Sequence, residues 1–116
     1  MPMVRVSNGG TAFLDKGKAL FINATGTWSV ESFTSSKTMS SQTDPSMIYR
    51  VADGITKVSC SSTNTSLNFR GCGMKNGVAT DLGVHAGSYN FNVGSYDYVL
   101  VFTHAGAAVT VTYSVS

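Results

Sequence analysis

The clearest pattern in the sequence is the alternation of apolar and polar residues near its C-terminal end. From Val109 to Ser116, valine and tyrosine alternate strictly with threonine and serine, which predicts a strand with one buried and one solvated face. Tyr96–Thr103 and Ala19–Ala24 instead carry apolar residues at consecutive positions. Apolar side chains on both faces are typical of strands in the interior of a sheet.

Shorter segments with strand patterns fill the remainder of the chain. No stretch repeats apolar residues at helical spacing for long enough to predict a helix. The further predicted strands are Met3–Ser7, Thr11–Asp15, Thr27–Phe33, Met47–Val51, Thr56–Ser61, Ser66–Arg70, Val78–Leu82 and Ser88–Val93. Turn sequences separate them: Asn8-Gly9-Gly10, Asp15-Lys16-Gly17, Asp53-Gly54, Asn76-Gly77, Ala86-Gly87 and Gly94-Ser95. Many short strands between tight turns predict one all-β domain over residues 1–116. We expect an antiparallel β-sandwich, jelly-roll or Ig-like, with a small β-barrel as the alternative.

Thr34–Ser46 stands apart because it is polar and has no period. Its length is unusual for a loop inside a compact domain, and such loops are commonly functional or disordered. The segment is interpreted either as a flexible crossover between sheets or as an arm that contacts a partner. In the second case the candidate contact residues are Lys37, Met39, Gln42 and Asp44.

The terminal strand Val109–Ser116 carries no charge, and neither Pro2 nor Pro45 lies in a predicted strand. Natural monomers usually protect exposed sheet edges with lysine, proline or inward charges. This strand is therefore expected to be an edge that recruits another subunit, with Thr110 and Thr112 as contact residues, and the protein is expected to form a homo-oligomer. The alternative is that the strand lies in the middle of its sheet.

Charge excludes some classes of function. Charged residues make up 12% of the chain, the net charge is +2, and the eight basic residues are scattered, so we expect no nucleic-acid binding. No segment approaches the roughly 20 apolar residues of a membrane-spanning helix. The first residues lack the apolar core of a signal peptide, so the chain is expected to be either a cytoplasmic product or a mature form, and Met1 favours the first.

Two cysteines bear on the compartment of synthesis. If Thr56–Ser61 and Ser66–Arg70 form a hairpin, Cys60 faces Leu67 and Cys72 lies about five rows away, too far for a disulfide. Free, mostly buried thiols are therefore expected, in agreement with a reducing compartment. The sequence also lacks the clustered Cys and His residues of a zinc site, so we predict no metal and no cofactor.

No catalytic residue is predicted. His85 and His104 are isolated and flanked by glycine and alanine, which favours solvated loop positions. The carboxylates fall mostly at turns, where aspartate caps backbone groups, and no G-x-S-x-G motif is present. The protein is therefore interpreted as non-enzymatic.

The aromatic residues suggest a rival function. Tyr89, Phe91, Tyr96, Tyr98, Phe102 and Tyr113 crowd the C-terminal third, and Trp28 is the only tryptophan. Most are expected in the core. A tyrosine or tryptophan exposed beside Asn or Asp would instead indicate a carbohydrate-binding or adhesion module.

Low charge, strands rich in Ser, Thr and Gly, and the lack of an active-site motif together give the chain its overall character. In these features it resembles the small all-β virion proteins of tailed bacteriophages, which are head-decoration or tail-accessory modules. The resemblance covers the whole chain without a specific motif. It implies a non-enzymatic protein that folds in the host cytoplasm and docks as an oligomer on a larger protein shell, such as capsid or tail proteins.

Overall fold

A computed structural model describes residues 3–5 and 11–116, with side chains from Leu14 onward. The predicted turn Asn8-Gly9-Gly10 lies outside the described residues. The strands are β1 (Met3–Arg5), β2 (Thr11–Phe13), β3 (Lys18–Ile22), β4 (Trp28–Ser32), β5 (Ser36–Gln42), β6 (Ser46–Arg50), β7 (Lys57–Ser62), β8 (Asn68–Lys75), β9 (Val78–Ala86), β10 (Ser88–Asn92), β11 (Tyr98–Thr103) and β12 (Val109–Val115).

Two antiparallel sheets pack face to face, which confirms the predicted β-sandwich. The larger sheet has the strand order β4-β3-β6-β11-β8-β9, and the smaller has the order β10-β7-β12-β5. β1 and β2 pair with each other in a separate two-stranded sheet. Within the described residues the two large sheets do not close into the barrel that was the alternative.

Every second side chain along the strands points inward, and these side chains form the core between the sheets. From the larger sheet, Val99 and Val101 of β11 and Phe69 of β8 point inward and are fully buried, and Val111 and Tyr113 of β12 meet them from the smaller sheet. The prediction of interior strands is confirmed, since β11 lies between β6 and β8 and β3 lies between β4 and β6. On the outer side of β3, Leu20 packs with Leu14 in a second, smaller apolar cluster.

From β4 to β12, every connection except that between β8 and β9 crosses from one sheet of the sandwich to the other. The predicted hairpin of Thr56–Ser61 with Ser66–Arg70 is therefore wrong, because β7 and β8 belong to different sheets. Cys60 pairs with Tyr89 and Tyr113 in the smaller sheet, whereas Cys72 pairs with Leu100 in the larger one. Both thiols are free; Cys60 is buried and Cys72 is half-buried.

The interpretation of Thr34–Ser46 as a loop is also wrong, because this segment contains β5. Met39 is the one side chain of β5 that is buried. The sequence of this strand therefore shows no alternation of apolar and polar residues. The strand is held instead by its antiparallel pairing with β12. Polar residues are stable in an edge strand because one face and one edge remain in water.

β12 itself is not an edge, contrary to the expectation for Val109–Ser116. It pairs with β5 on one side and with β7 on the other, so the alternative position in the middle of the sheet is the observed one. The edges of the smaller sheet are β5 and β10, and those of the larger sheet are β4 and β9.

Side chains connect the two sheets at both open sides of the sandwich. On one side Lys37 of β5 donates a hydrogen bond of 2.8 Å to Glu31 of β4. On the other side the His85 ring of β9 stacks on the Tyr89 ring of β10, with the centroids 3.4 Å apart and the planes nearly parallel. The prediction of a loop position for His85 is therefore wrong, because the residue lies in a strand and its ring is packed.

The hairpin turn at Asn76-Gly77 is confirmed. Both residues have positive φ, 51° and 78°, which is the conformation that a two-residue type I′ turn requires and that Asn-Gly tolerates best. The turn places β9 beside β8, and Asp97 supports it by accepting the Asn76 N–H at 3.3 Å.

Candidate functional site

The outer face of the smaller sheet carries an array of short polar side chains. Residues paired across strands share one face, so the register gives two parallel rows. The first row is Thr38, Thr112, Ser61 and Ser88, and the second is Ser36, Ser114, Ser59 and Asn90. We call these eight residues the hydroxyl face.

None of the eight side chains carries a charge, and all are exposed or half-buried. The Thr38 and Thr112 hydroxyls lie 3.0 Å apart, which shows that they point to the same side of the sheet. Lys57, paired with Asn92 one row further along, brings a charge only to the corner of this surface. Each hydroxyl is both a donor and an acceptor, so the face can bond with neutral polar groups of either kind.

A cleft of about 300 Å³ opens between the edge strands β4 and β5. It is lined by Phe21, Asn23, Thr27, Trp28, Ser29, Lys37, Thr38, Met39, Ser40 and Gln42. We call it the β4–β5 cleft. Phe21 and Met39 are buried and form its apolar floor, Trp28 is partly exposed, and the other lining residues are polar.

A β-bulge in β5 shapes this cleft. Val109 of β12 pairs with Gln42 and Val111 pairs with Met39, so Ser40 and Ser41 together oppose the single residue Thr110. Ser41 has φ of +52°, a conformation that costs energy for any residue with a β-carbon. The extra residue turns Gln42 to the inner side of the sheet, the side on which Val109 is buried. Bulges commonly re-aim a side chain at binding sites.

The re-aimed amide meets a second amide. Asn23 Nδ2 donates a hydrogen bond to Gln42 Oε1, and Gln42 Nε2 donates to the Ser40 carbonyl at 3.2 Å. Asn23 is fixed in turn because its Oδ1 accepts the backbone N–H groups of Thr25 and Thr27 at 3.1 and 3.2 Å. The turn between β3 and β4 and the bulge in β5 therefore hold two side-chain amides side by side at the cleft.

The cleft is nearly neutral. In the described part of the chain, Lys37 is the charged side chain that lines it, and its ammonium group is bonded to Glu31. The bonds from Lys37 and from Ser29 lower the pKa of Glu31 below its ordinary value, so the carboxylate keeps its charge. The Lys37 ammonium also lies 5.5 Å from the centre of the Phe21 ring. The lysine charge is thus neutralised inside the protein and is not offered to an anion.

The predicted contact residues do not form one site in the structure. Lys37, Met39 and Gln42 line the β4–β5 cleft. Thr112 belongs to the hydroxyl face, and Thr110 lies one row further along at the bulge, where its Oγ1 accepts the Ser41 N–H at 3.2 Å.

Asp44 is separate from both groups. Its carboxylate accepts the Ala105 N–H and lies 3.7 Å from His104 Nδ1. It therefore fixes the connection between β11 and β12. His104 is almost fully exposed in that connection, as predicted for a solvated loop position.

The aromatic residues are less completely buried than expected. Phe91 and Tyr113 are core residues, but Tyr89 and Phe102 are 37% and 42% exposed. Trp28, one of the residues that line the cleft, is 38% exposed. Sequence reasoning missed Asn23, which lies in the turn between β3 and β4 of the larger sheet, whereas Gln42 lies in β5 of the smaller one. No sequence signal marks contacts between sheets.

Neither a metal centre nor a membrane helix is found in the described ranges. Across residues 3–5 and 11–116, no three His, Cys, Asp or Glu side chains are grouped closely enough to hold a metal ion. The same residues include no helix that is long and apolar enough to cross a membrane.

Comparison with known proteins adds no relative. No protein-family model matches the chain, and neither the curated proteins nor the solved structures contain a match.

Proposed function

We propose that this protein is a non-enzymatic assembly module that associates with copies of itself through the hydroxyl face. The observation that carries the proposal is the uncharged array on the smaller sheet, in which every member is Ser, Thr or Asn. Hydroxyl groups that both donate and accept make such an array complementary to a second copy. Desolvating neutral groups that regain hydrogen bonds also costs far less than desolvating charges.

The size of the face sets the strength of this association. Four strands of five to seven residues, about 4.8 Å apart, cover roughly 400 Å². A stable interface buries about 800 Å² on each partner, so a single contact is expected to be weak. Weak contacts become effective when many are engaged together, which suits a module that acts on a repetitive protein shell.

The same proposal includes the larger structure on which the protein assembles, a bacteriophage virion. The sequence texture suggests a virion accessory protein of a tailed bacteriophage, made in the host cytoplasm and assembled with capsid or tail proteins. The support is the resemblance in texture and the neutral face.

Sedimentation velocity and light scattering between micromolar and millimolar concentration test the association. The wild-type mass is expected to rise with concentration above the 12.2 kDa of one chain. Ser61→Lys places a charge within the face and is expected to leave a monomer at every concentration. Ser32→Lys, an exposed position at the end of β4 in the other sheet, is the matched control and should behave as wild type. A wild-type protein that stays monomeric at millimolar concentration would refute the proposal.

A further inference from the structure

We infer that the β4–β5 cleft binds a neutral saccharide, a function beyond the assembly proposed for the hydroxyl face, which the cleft adjoins at Thr38. The first support is the bulge at Ser40–Ser41. A positive φ at a residue other than glycine is a local strain, and strain of this kind concentrates at functional sites. Here its result is specific, because it turns Gln42 inward to meet Asn23.

The second support is the chemistry of the lining. Asn23 Nδ2 and Gln42 Nε2 each have a second N–H to donate beyond the one bonded within the protein, Ser29 and Thr27 supply hydroxyls, and Phe21 and Met39 form an apolar floor. A concave site with an apolar floor and a few fixed polar groups is typical of small-ligand sites. A saccharide matches it because sugar hydroxyls pair with amides while the C–H groups of the ring contact apolar surface.

The charge balance favours a neutral ligand over an anion. The Lys37–Glu31 pair has an N–O distance of 2.8 Å and neutralises the Lys37 ammonium group at the cleft. A phosphate or carboxylate would have to compete with Glu31 for that group. Sulfated or sialylated sugars are therefore expected to bind no better than neutral ones.

The edge of β5 argues against a peptide that adds as a further strand. Such a peptide needs free backbone groups along the edge. In β5 the Ser40 carbonyl already accepts Gln42 Nε2, and the bulge interrupts the regular ladder. Bulges and edge charges such as that of Lys37 are the usual means of blocking strand addition. The cleft volume of about 300 Å³ also lies at the lower end of ligand pockets, which suits one or two sugar rings.

Trp28 provides a built-in probe, because the chain has no other tryptophan and this one borders the cleft. The purified full chain is first screened on an array of neutral oligosaccharides of glucose, galactose, mannose and N-acetylglucosamine. The array also carries sulfated and sialylated members. Each saccharide that binds is then titrated in solution up to millimolar concentration while the Trp28 emission is followed.

The expected result is saturable binding of at least one neutral saccharide with a change in Trp28 emission. Gln42→Met keeps the length of the side chain and removes its amide, and it should weaken binding about tenfold or more, since a bonded polar group is lost. Asn92→Leu is the matched control, because it removes an exposed amide at the far edge of the smaller sheet, and binding should be unchanged. Equal thermal stability of both variants separates loss of binding from loss of fold.

Two outcomes would overturn the inference: no saccharide of the array binds at millimolar concentration, or Gln42→Met binds as tightly as wild type. Ser61→Lys, which abolishes self-association in the proposed function, should bind the saccharide as wild type does. The two proposals can therefore fail separately.

Discussion

Lys37 of β5 and Glu31 of β4 join the edge strands of two different sheets through a hydrogen bond of 2.8 Å. The pair has two roles in the molecule. It bridges one open side of the sandwich, and it removes the net charge of the lysine from the adjoining cleft.

Glu31→Gln is expected to destabilise the protein slightly at neutral pH. Because the pKa of Glu31 is lowered on folding, the carboxylate stabilises the fold above the ordinary pKa of 4.5, and this contribution is lost as the pH falls through the lower folded value. Both side chains are about one-third exposed, so the effect should stay below about 1 kcal/mol. Denaturant unfolding at neutral pH should show the difference, and unfolding in acid should not.

Asp53→Asn is the control for this experiment. Asp53 pairs with Lys16 at 2.9 Å, but its side chain is 88% exposed, so solvent screens the pair and no measurable change is expected. A Glu31→Gln effect that persists unchanged in acid would show that the lost stability is not electrostatic.

Gly71→Ala should destabilise the fold strongly, because β8 passes directly beneath the Phe91 ring. A β-carbon at Gly71 would lie 2.5 Å from Phe91 Cε1 and 2.7 Å from Cδ1, and the ring is only 1% exposed and cannot move aside. Overpacking of this kind costs about 1–3 kcal/mol. Thermal or urea unfolding measures it.

Gly106→Ala is the matched control, since its β-carbon would meet nothing within 4 Å. A double variant, Gly71→Ala with Phe91→Leu, tests the cause. If the clash with the ring is responsible, the two substitutions together should cost less than the sum of their separate effects. Additive costs would contradict the proposed contact.

The two free thiols should differ in reactivity in the folded protein. Cys60 is 2% exposed, and burial raises its pKa to about 12, so its reactive thiolate is scarce at neutral pH. Cys72 lies half-buried on the other sheet. We expect iodoacetamide to modify Cys72 at least about tenfold faster, as measured by mass spectrometry of peptides.

Denatured protein should titrate two thiols per chain, which provides the control. A count of zero would contradict the free cysteines, and equal rates in the folded protein would contradict the burial of Cys60. The expected reducing compartment of synthesis would lose its support only in the first case.

The sequence predicts strands best where side chains on both faces are buried. β11 and β3 were identified from consecutive apolar residues, and the turn at Asn76-Gly77 from the tolerance of both residues for positive φ. β5 could not be identified in this way, since its stability comes from backbone pairing with β12 and from one buried methionine, Met39. Hydrophobic periodicity carries no information about such a strand.

The partners of each strand are still harder to predict. In the connection between β7 and β8, the Ser66 N–H bonds to Asn64 Oδ1 and the Leu67 N–H bonds to the Asn64 carbonyl. A tight hairpin could use the same local bonds, yet here the chain crosses to the other sheet. The sequence therefore predicts Gln42 and Lys37 as contact residues, but it does not predict that Asn23 lies beside them. Their meeting depends on the packing of the two sheets.

The Pro45 carbonyl is buried beside the core residue Tyr113. It accepts hydrogen bonds from the Tyr113 hydroxyl, at 3.0 Å, and from Thr103 Oγ1. Burial raises the pKa of Tyr113 above its ordinary value, so the phenol stays protonated and remains a donor. Tyr113→Phe and Thr103→Val should each cost about 1 kcal/mol, because each variant leaves the carbonyl one donor.

The double variant should cost more than the sum of the two, by about 1–2 kcal/mol, since a buried carbonyl without any donor bears its full desolvation penalty. Tyr98→Phe combined with Thr103→Val is the control: Tyr98 accepts from Arg50 at a half-buried site on the outer face, so these two effects should add. Urea unfolding of all five variants gives the coupling. Simple additivity in the Tyr113 and Thr103 cycle would mean that the two hydroxyls do not share this carbonyl, because two donors to one acceptor cannot be lost independently.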